Sequence, residues 1–84
     1  MLNRYRKQIN EINFKIIELL YKRNKISKKI GDYKKRKNLK VYDKKREAEI
    51  LTKVSNTSKE KGLDEKYIKK VFKIIIKNSR ESQK

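Results

Sequence analysis

A stripe of mainly apolar residues, spaced as on one face of a helix, runs from residue 2 to residue 33. It constrains the fold more than any other feature of the chain. Its members recur every three or four residues, as on one face of an α-helix. They are Leu2, Arg6, Ile9, Ile12, Ile16, Leu19, Arg23, Ile26, Ile30 and Tyr33. A single helix from about residue 3 to residue 36 is roughly 50 Å long, whereas a compact domain of this size is about 30 Å across. The remaining residues cannot cover such a stripe, so we expect a second copy of the chain to complete it.

Composition supports an all-helical fold with a shared core. Only 35 % of the 84 residues are hydrophobic, which is low for a monomer because a short chain buries a smaller share of its surface than a long one. The chain has no Pro and two Gly, so it lacks the turn residues that all-β folds and Gly-rich phosphate loops need. With no Cys and no His, disulfides, thiolate nucleophiles, imidazole bases and ordinary zinc sites are excluded. We expect one small all-α domain over residues 1–84, with no metal site.

The sequence does not indicate membrane insertion or secretion. Its longest apolar run is the Ile74-Ile75-Ile76 group, which is far shorter than a transmembrane span. The N-terminus leads into no signal-peptide core. We expect a soluble, cytoplasmic protein.

The rest of the chain predicts a loop and two shorter helices. Asp43 is a plausible N-cap of the second helix, and Gly62 followed by Leu63 is typical of a left-handed C-terminal cap. Asp64 can then cap a third helix. The loop is expected to anchor itself through Leu39, Val41 and Tyr42. The expected buried face of the second helix contains Ala48, Ile50, Leu51 and Val54, and that of the third contains Ile68, Val71, Phe72, Ile75 and Ile76. The order is long, short and medium helix, in an intertwined homodimer.

Polar side chains interrupt these buried faces. They are Arg6, Arg23, Lys34, Glu47, Ser79 and Gln83. Each one alone could be a solvated or snorkelling side chain, but an excess of cations directed toward one interior is costly without an anion to pair with them. A small ligand with two carboxylates satisfies this set, with Arg as the bidentate partner. Positioning and electrostatic stabilisation are then the available chemistry, and a unimolecular rearrangement of an anionic substrate needs no more.

Several segments, in order and without insertions, resemble the all-helical (AroQ-type) chorismate mutases. They are residues 5–9, 19–23, 30–34, 41–47, 62–64 and 72–79, followed by Gln83. The resemblance covers essentially the whole chain. It implies an intertwined helical homodimer that converts chorismate to prephenate by a Claisen rearrangement in aromatic amino-acid biosynthesis. It also implies that the reaction uses no cofactor and no covalent intermediate.

The resemblance further implies roles for individual residues. Arg23, with Arg6 contributed by the partner chain, is expected to bind the two substrate carboxylates, assisted by Ser79. Lys34 and Gln83 are expected to donate hydrogen bonds to the ether oxygen, where negative charge develops as the C–O bond breaks. The remaining expected site residues are Glu47 and the backbone near Asp43, which hold the ring hydroxyl, and Arg46, which lines the pocket or orders the loop.

Three other functions are compatible with parts of the pattern. An isochorismate pyruvate-lyase of the same fold shares the Arg and Lys positions, although the segment from Asp43 to Glu47 and Ser79 resemble the mutase. A basic helical nucleic-acid-binding protein fits the net charge of +17, but the basic residues are spread along the chain without a recognition motif. A purely structural coiled-coil dimer leaves the buried Arg6, Arg23 and Glu47 unexplained.

Overall fold

A computed structural model describes all 84 residues as three α-helices with no strand. Helix α1 spans Leu2–Arg36, α2 spans Lys44–Glu60 and α3 spans Glu65–Gln83. Their lengths of 35, 17 and 19 residues confirm the predicted all-α fold with a long, a short and a medium helix. None of the three is both long enough and apolar enough to cross a bilayer.

The predicted helix caps are confirmed. Asp43 accepts a hydrogen bond from the backbone N–H of Arg46 at 3.0 Å, which satisfies one of the free donors at the start of α2. Gly62 has a φ of 71°, the left-handed conformation that glycine adopts without strain, and it reverses the chain after α2. Asp64 caps α3 through the backbone N–H of Lys66, also at 3.0 Å.

Helix α3 is the centre of the molecule, because α1 and α2 each pack on it and do not contact one another. The chain is elongated, with extents of 55 × 24 × 15 Å. Ile76 on α3 is the only buried hydrophobic residue. A single chain therefore does not enclose a hydrophobic core of its own.

The two halves of α1 differ in their surroundings. Every residue of the outer half, residues 2–22, is exposed, whereas the inner half, residues 23–36, packs Ser27 and Gly31 against α3. The apolar stripe is exposed even in the inner half, where Ile26 is 58 % and Ile30 is 42 % accessible. The prediction that the other helices leave the stripe uncovered is confirmed. The second copy that covers it stays a prediction.

Two smaller expectations differ from the single chain. Ala48 was expected on the buried face of α2, but it is exposed, while Ile50 and Val54 of that face are half-buried. Of the three loop side chains expected to act as anchors, Val41 is half-buried, and Leu39 and Tyr42 are exposed. Both differences have the same physical cause, since α2 is covered on one side only, by α3, and the loop is covered on one side only, where it meets the inner half of α1.

Candidate active site

A cleft of about 430 Å³ lies between the inner half of α1, the start of α2 and the last turns of α3. This volume suits a small organic ligand. Its polar lining consists of Arg23, Ser27, Lys34, Asp43, Arg46, Glu47, Ser79, Arg80 and Gln83, and its apolar lining of Ile26, Ile30, Val41, Ile50 and Ile76. Four of these side chains are cationic and two are carboxylates, so the cleft has an excess of positive charge.

Seven of the eight side chains predicted for the site lie in this cleft. They are Arg23, Lys34, Asp43, Arg46, Glu47, Ser79 and Gln83. Arg6 does not line it. Arg6 is exposed on the outer half of α1, and the 17 residues that separate it from Arg23 correspond to roughly 25 Å of helix. A contribution of Arg6 to the cleft of a second copy stays a prediction.

Lys34 and Gln83 form a pair of hydrogen-bond donors where α1 meets the end of α3. The ammonium of Lys34 donates to the side-chain carbonyl of Gln83 at 2.7 Å and to the backbone carbonyl of Val41 at 2.8 Å. An ammonium has three N–H bonds, so one remains for a ligand. Because the Gln83 carbonyl faces Lys34, its amide nitrogen is available as a donor, with only a long 3.4 Å contact to Ser27. Two free N–H donors are therefore held side by side.

Arg23 is a cation without a carboxylate partner. Its guanidinium donates to the hydroxyl of Ser79, which in turn donates to the backbone carbonyl of Ile75 at 3.1 Å. Burial lowers the pKa of Arg23 below its ordinary value, and the positive charge of Arg46 lowers it further. Both effects disfavour the charged form. An anion bound between the two guanidinium groups offsets their repulsion and gives the partly buried Arg23 a charged partner. This end of the cleft is therefore suited to a carboxylate.

The register of α1 on α3 depends on two small residues, Ser27 and Gly31, which are both buried. Ser27 donates to the backbone carbonyl of Ser79 at 3.0 Å and lies 2.9 Å from the hydroxyl of Ser82. At Gly31 the helices approach so closely that a Cβ atom would lie 2.5 Å from the carbonyl oxygen of Gln83. Backbone atoms cannot rotate away as a side chain can, so only glycine permits this approach. The contact fixes where Gln83 stands relative to Lys34.

Glu47 lies at the opposite wall of the cleft, beside Arg80. The Nε atom of Arg80 is 2.8 Å from Oε2 of Glu47, and the Arg80 guanidinium lies 4.9 Å from the centre of the Tyr42 ring. Apart from this contact Glu47 has no polar side-chain partner within the chain, so its Oε1 atom can accept a hydroxyl from a ligand.

Asp43 and Arg46 line the rim, and both are exposed. The carboxylate of Asp43 is occupied by the cap of α2. The side chain of Arg46 forms an ion pair with Glu49 at 3.7 Å. The expected role of Arg46, lining the pocket or ordering the loop, stays a prediction.

Sequence reasoning missed three polar residues of this region, Arg80, Ser27 and Ser82. Arg80 follows Ile76 by four residues and precedes Gln83 by three, so helical spacing alone places it on the face that carries the cleft. Ser27 likewise falls between Arg23 and Gly31 at steps of four. The signal was present in the spacing. It was overlooked because arginine and serine on a helix are usually solvated.

The fold and the cleft define a small all-helical protein suited to binding an organic anion. Residues 5–84 match the chorismate mutase type II family. The chorismate mutase of Methanocaldococcus jannaschii is 33 % identical over 79 residues, which cover 94 % of this chain and 80 % of that protein. The chain therefore belongs to the chorismate mutase type II family, as its sequence resemblance predicted.

Two further relatives are longer proteins. A bifunctional chorismate mutase/prephenate dehydratase of Buchnera aphidicola (subspecies Schizaphis graminum) is 36 % identical over 80 residues, 95 % of this chain and 21 % of that protein. One of the same description from Aquifex aeolicus is 39 % identical over 59 residues, 70 % of this chain and 16 % of that protein. The chain thus spans about a fifth of the length of these bifunctional relatives.

Proposed function

We propose that this chain is a chorismate mutase that rearranges chorismate to prephenate in aromatic amino-acid biosynthesis, with residues 1–84 forming one catalytic domain. Family membership and the name of the Methanocaldococcus relative support this activity. The observation that carries the proposal is the pair of free donors on Lys34 and Gln83 in one cleft with the unpaired Arg23.

The reaction makes modest demands on the protein. In the Claisen rearrangement the ether C–O bond breaks while a C–C bond forms within the same molecule. The flexible enolpyruvyl group must be folded over the ring before this can happen, and holding it there supplies much of the rate. As the C–O bond lengthens, negative charge develops on the ether oxygen, and hydrogen-bond donors placed there stabilise the transition state more than the substrate.

The cleft offers a group for each of these demands. Arg23, assisted by Ser79, binds one carboxylate, and Arg6 of a second copy binds the other. The free N–H bonds of Lys34 and Gln83 meet at the ether oxygen. Glu47 accepts the ring hydroxyl, beside the backbone at Asp43, and Arg46 closes the rim. These roles need no cofactor, because the groups only position the substrate and stabilise charge.

The uncovered outer half of α1 supports a homodimer as the active form. Its exposed apolar residues form the continuous stripe that a second copy can cover, and Arg6 lies on that same stripe. Covering the stripe therefore brings a cation near the partner's cleft at the same time. Light scattering on a sizing column measures the mass directly, and a monomer that is fully active would contradict the dimer.

The activity is tested by following the ultraviolet absorbance of chorismate with purified protein and identifying the product. The expected result is saturable loss of chorismate with prephenate as the product. Arg23→Ala should raise KM strongly because a carboxylate loses its partner. Arg36→Ala, at the exposed end of α1, is the matched control and should leave KM unchanged.

Two further measurements separate the alternative functions. Incubation with isochorismate and detection of free pyruvate would indicate the pyruvate-lyase of the same fold. Salt-dependent binding to duplex DNA with no turnover of chorismate would indicate nucleic-acid binding, which the net charge of +17 alone favours.

A further inference from the structure

Arg80 has a place in the cleft that none of the roles above uses. It lies on α3 between Ser79 and Gln83 and reaches across to α2, where its Nε atom is 2.8 Å from Oε2 of Glu47. Both side chains are mostly withdrawn from water, with 36 % of Arg80 and 19 % of Glu47 accessible. The contact thus links α3 to the start of α2 at this wall of the cleft.

A carboxylate at this position is a disadvantage for the proposed substrate unless its charge is cancelled. Chorismate has two carboxylates, and an uncompensated Glu47 beside them repels the ligand, the more so because the cleft is partly shielded from solvent. The other arginine at this end, Arg46, forms its ion pair with Glu49 and none with Glu47. Arg80 is the cation that forms an ion pair with Glu47.

The geometry of the pair leaves Glu47 able to accept a hydroxyl. The Nε–H bond of Arg80 is buried but is not aligned for a hydrogen bond to the carboxylate, so charge attraction rather than a hydrogen bond joins the two groups. The guanidinium is also held from the other side by the ring of Tyr42, at 4.9 Å. Arg80 therefore contacts both the loop and α2, and it leaves Oε1 of Glu47 without a partner.

We propose that Arg80 is a positioning residue of this active site, which cancels the charge of Glu47 and fixes its carboxylate so that a dianionic substrate can bind while its hydroxyl is accepted. This inference rests on the proposed mutase function. Arg80 acts through Glu47 and does not touch the substrate.

The test is a double-mutant cycle on chorismate turnover. Arg80→Leu should raise KM about tenfold, because Glu47 then faces the substrate as an unpaired charge. In the Glu47→Gln background, where position 47 is neutral, Arg80→Leu should change KM less than about twofold. Arg80→Lys keeps the charge and should restore most of the affinity.

The controls separate the possible failures. Wild-type protein without turnover would overturn the mutase function itself. An active wild type in which Arg80→Leu raises KM equally in both backgrounds would overturn only the role of Arg80, since that pattern indicates direct contact with the substrate. Circular dichroism checks that each variant is helical. If Arg80→Leu does not fold, Arg80→Gln takes its place in the same cycle, with the same two outcomes.

Discussion

The outer half of α1 has every side chain exposed, whereas the inner half of the same helix packs small residues against α3. In the inner half, Ser27 and Gly31 bring two helix backbones close together and place donors in a cleft. In the outer half, large apolar residues such as Ile9 and Ile12 are exposed, with 58 % and 54 % of their surface accessible. One continuous helix thus has two functions. Its small residues pack against α3 to form the site within one chain, and its large apolar residues offer a surface to a second chain.

The largest effect is expected from a charge placed on the stripe of the outer half. Ile12→Asp introduces a carboxylate where a second copy is expected, and burying it unpaired costs several kcal/mol. We expect the dimer to dissociate and kcat/KM to fall about a hundredfold or more, because Arg6 no longer reaches the partner's cleft. Sizing with light scattering and the chorismate assay measure the two effects.

Phe14→Asp is the matched control for that variant. Phe14 is 70 % exposed and lies on the opposite face of α1 from Ile12, so it receives the same carboxylate away from the stripe. Mass and activity should both stay as in the wild type. If instead Ile12→Asp remains a fully active dimer, the stripe is not the interface.

The inner half is tested at Gly31. A methyl group at this position must push the backbone of Gln83 away, because a Cβ atom would lie 2.5 Å from its carbonyl oxygen. We expect Gly31→Ala to lower stability by about 1–3 kcal/mol. It should lower kcat about tenfold with KM changed less, because the Gln83 donor moves off the ether oxygen.

Gly62→Ala is the control for Gly31→Ala, because Gly62 is required by its backbone conformation and not by a close contact. Gly62 has a φ of 71° and open space around its Cα, so alanine there meets no atom but strains the backbone. We expect a loss of about 1 kcal/mol in stability with kcat unchanged. Equal kcat for the two glycine variants would contradict the link between the close approach at Gly31 and catalysis.

The smallest expected effect comes from comparing two buried serines. Ser27→Ala removes a hydrogen bond from α1 to the backbone of α3 at Ser79 and should cost about 1 kcal/mol. Ser58→Ala removes only a hydrogen bond to Val54 within α2 and should be nearly neutral, since alanine is the better helix former. Thermal denaturation of both variants shows the difference. Equal losses would mean that Ser27 does not hold the helices together.

The sequence predicted most of the fold, because its local signals agree with each other. The helical stripe, the caps at Asp43 and Asp64 and the left-handed Gly62 are all short-range features, and each is confirmed. The prediction that the stripe is uncovered followed from the length of the first helix alone. The exposure of Ala48 was not predicted, because burial depends on which surfaces meet, and helical spacing does not specify that.

The candidate site was predicted less completely, for a related reason. Spacing and family resemblance pointed to Arg23, Lys34 and Gln83, which the fold brings together. Helical spacing places Arg80 on the same face, but the sequence does not show its importance, because that comes from the Glu47 carboxylate on another helix. The close approach at Gly31 was equally hidden, since a glycine inside a helix pattern does not reveal which backbone lies opposite it.

Chorismate turnover by the wild-type protein and by Lys34→Ala tests the proposed mutase function and the role of Lys34 most directly. Wild-type protein should convert chorismate to prephenate with saturation. In Lys34→Ala, kcat should fall about a hundredfold to a thousandfold, because a donor to the developing charge on the ether oxygen is lost. No conversion by the folded wild type would contradict the mutase function. An unchanged kcat in the variant would contradict the role of Lys34 as a donor to the ether oxygen.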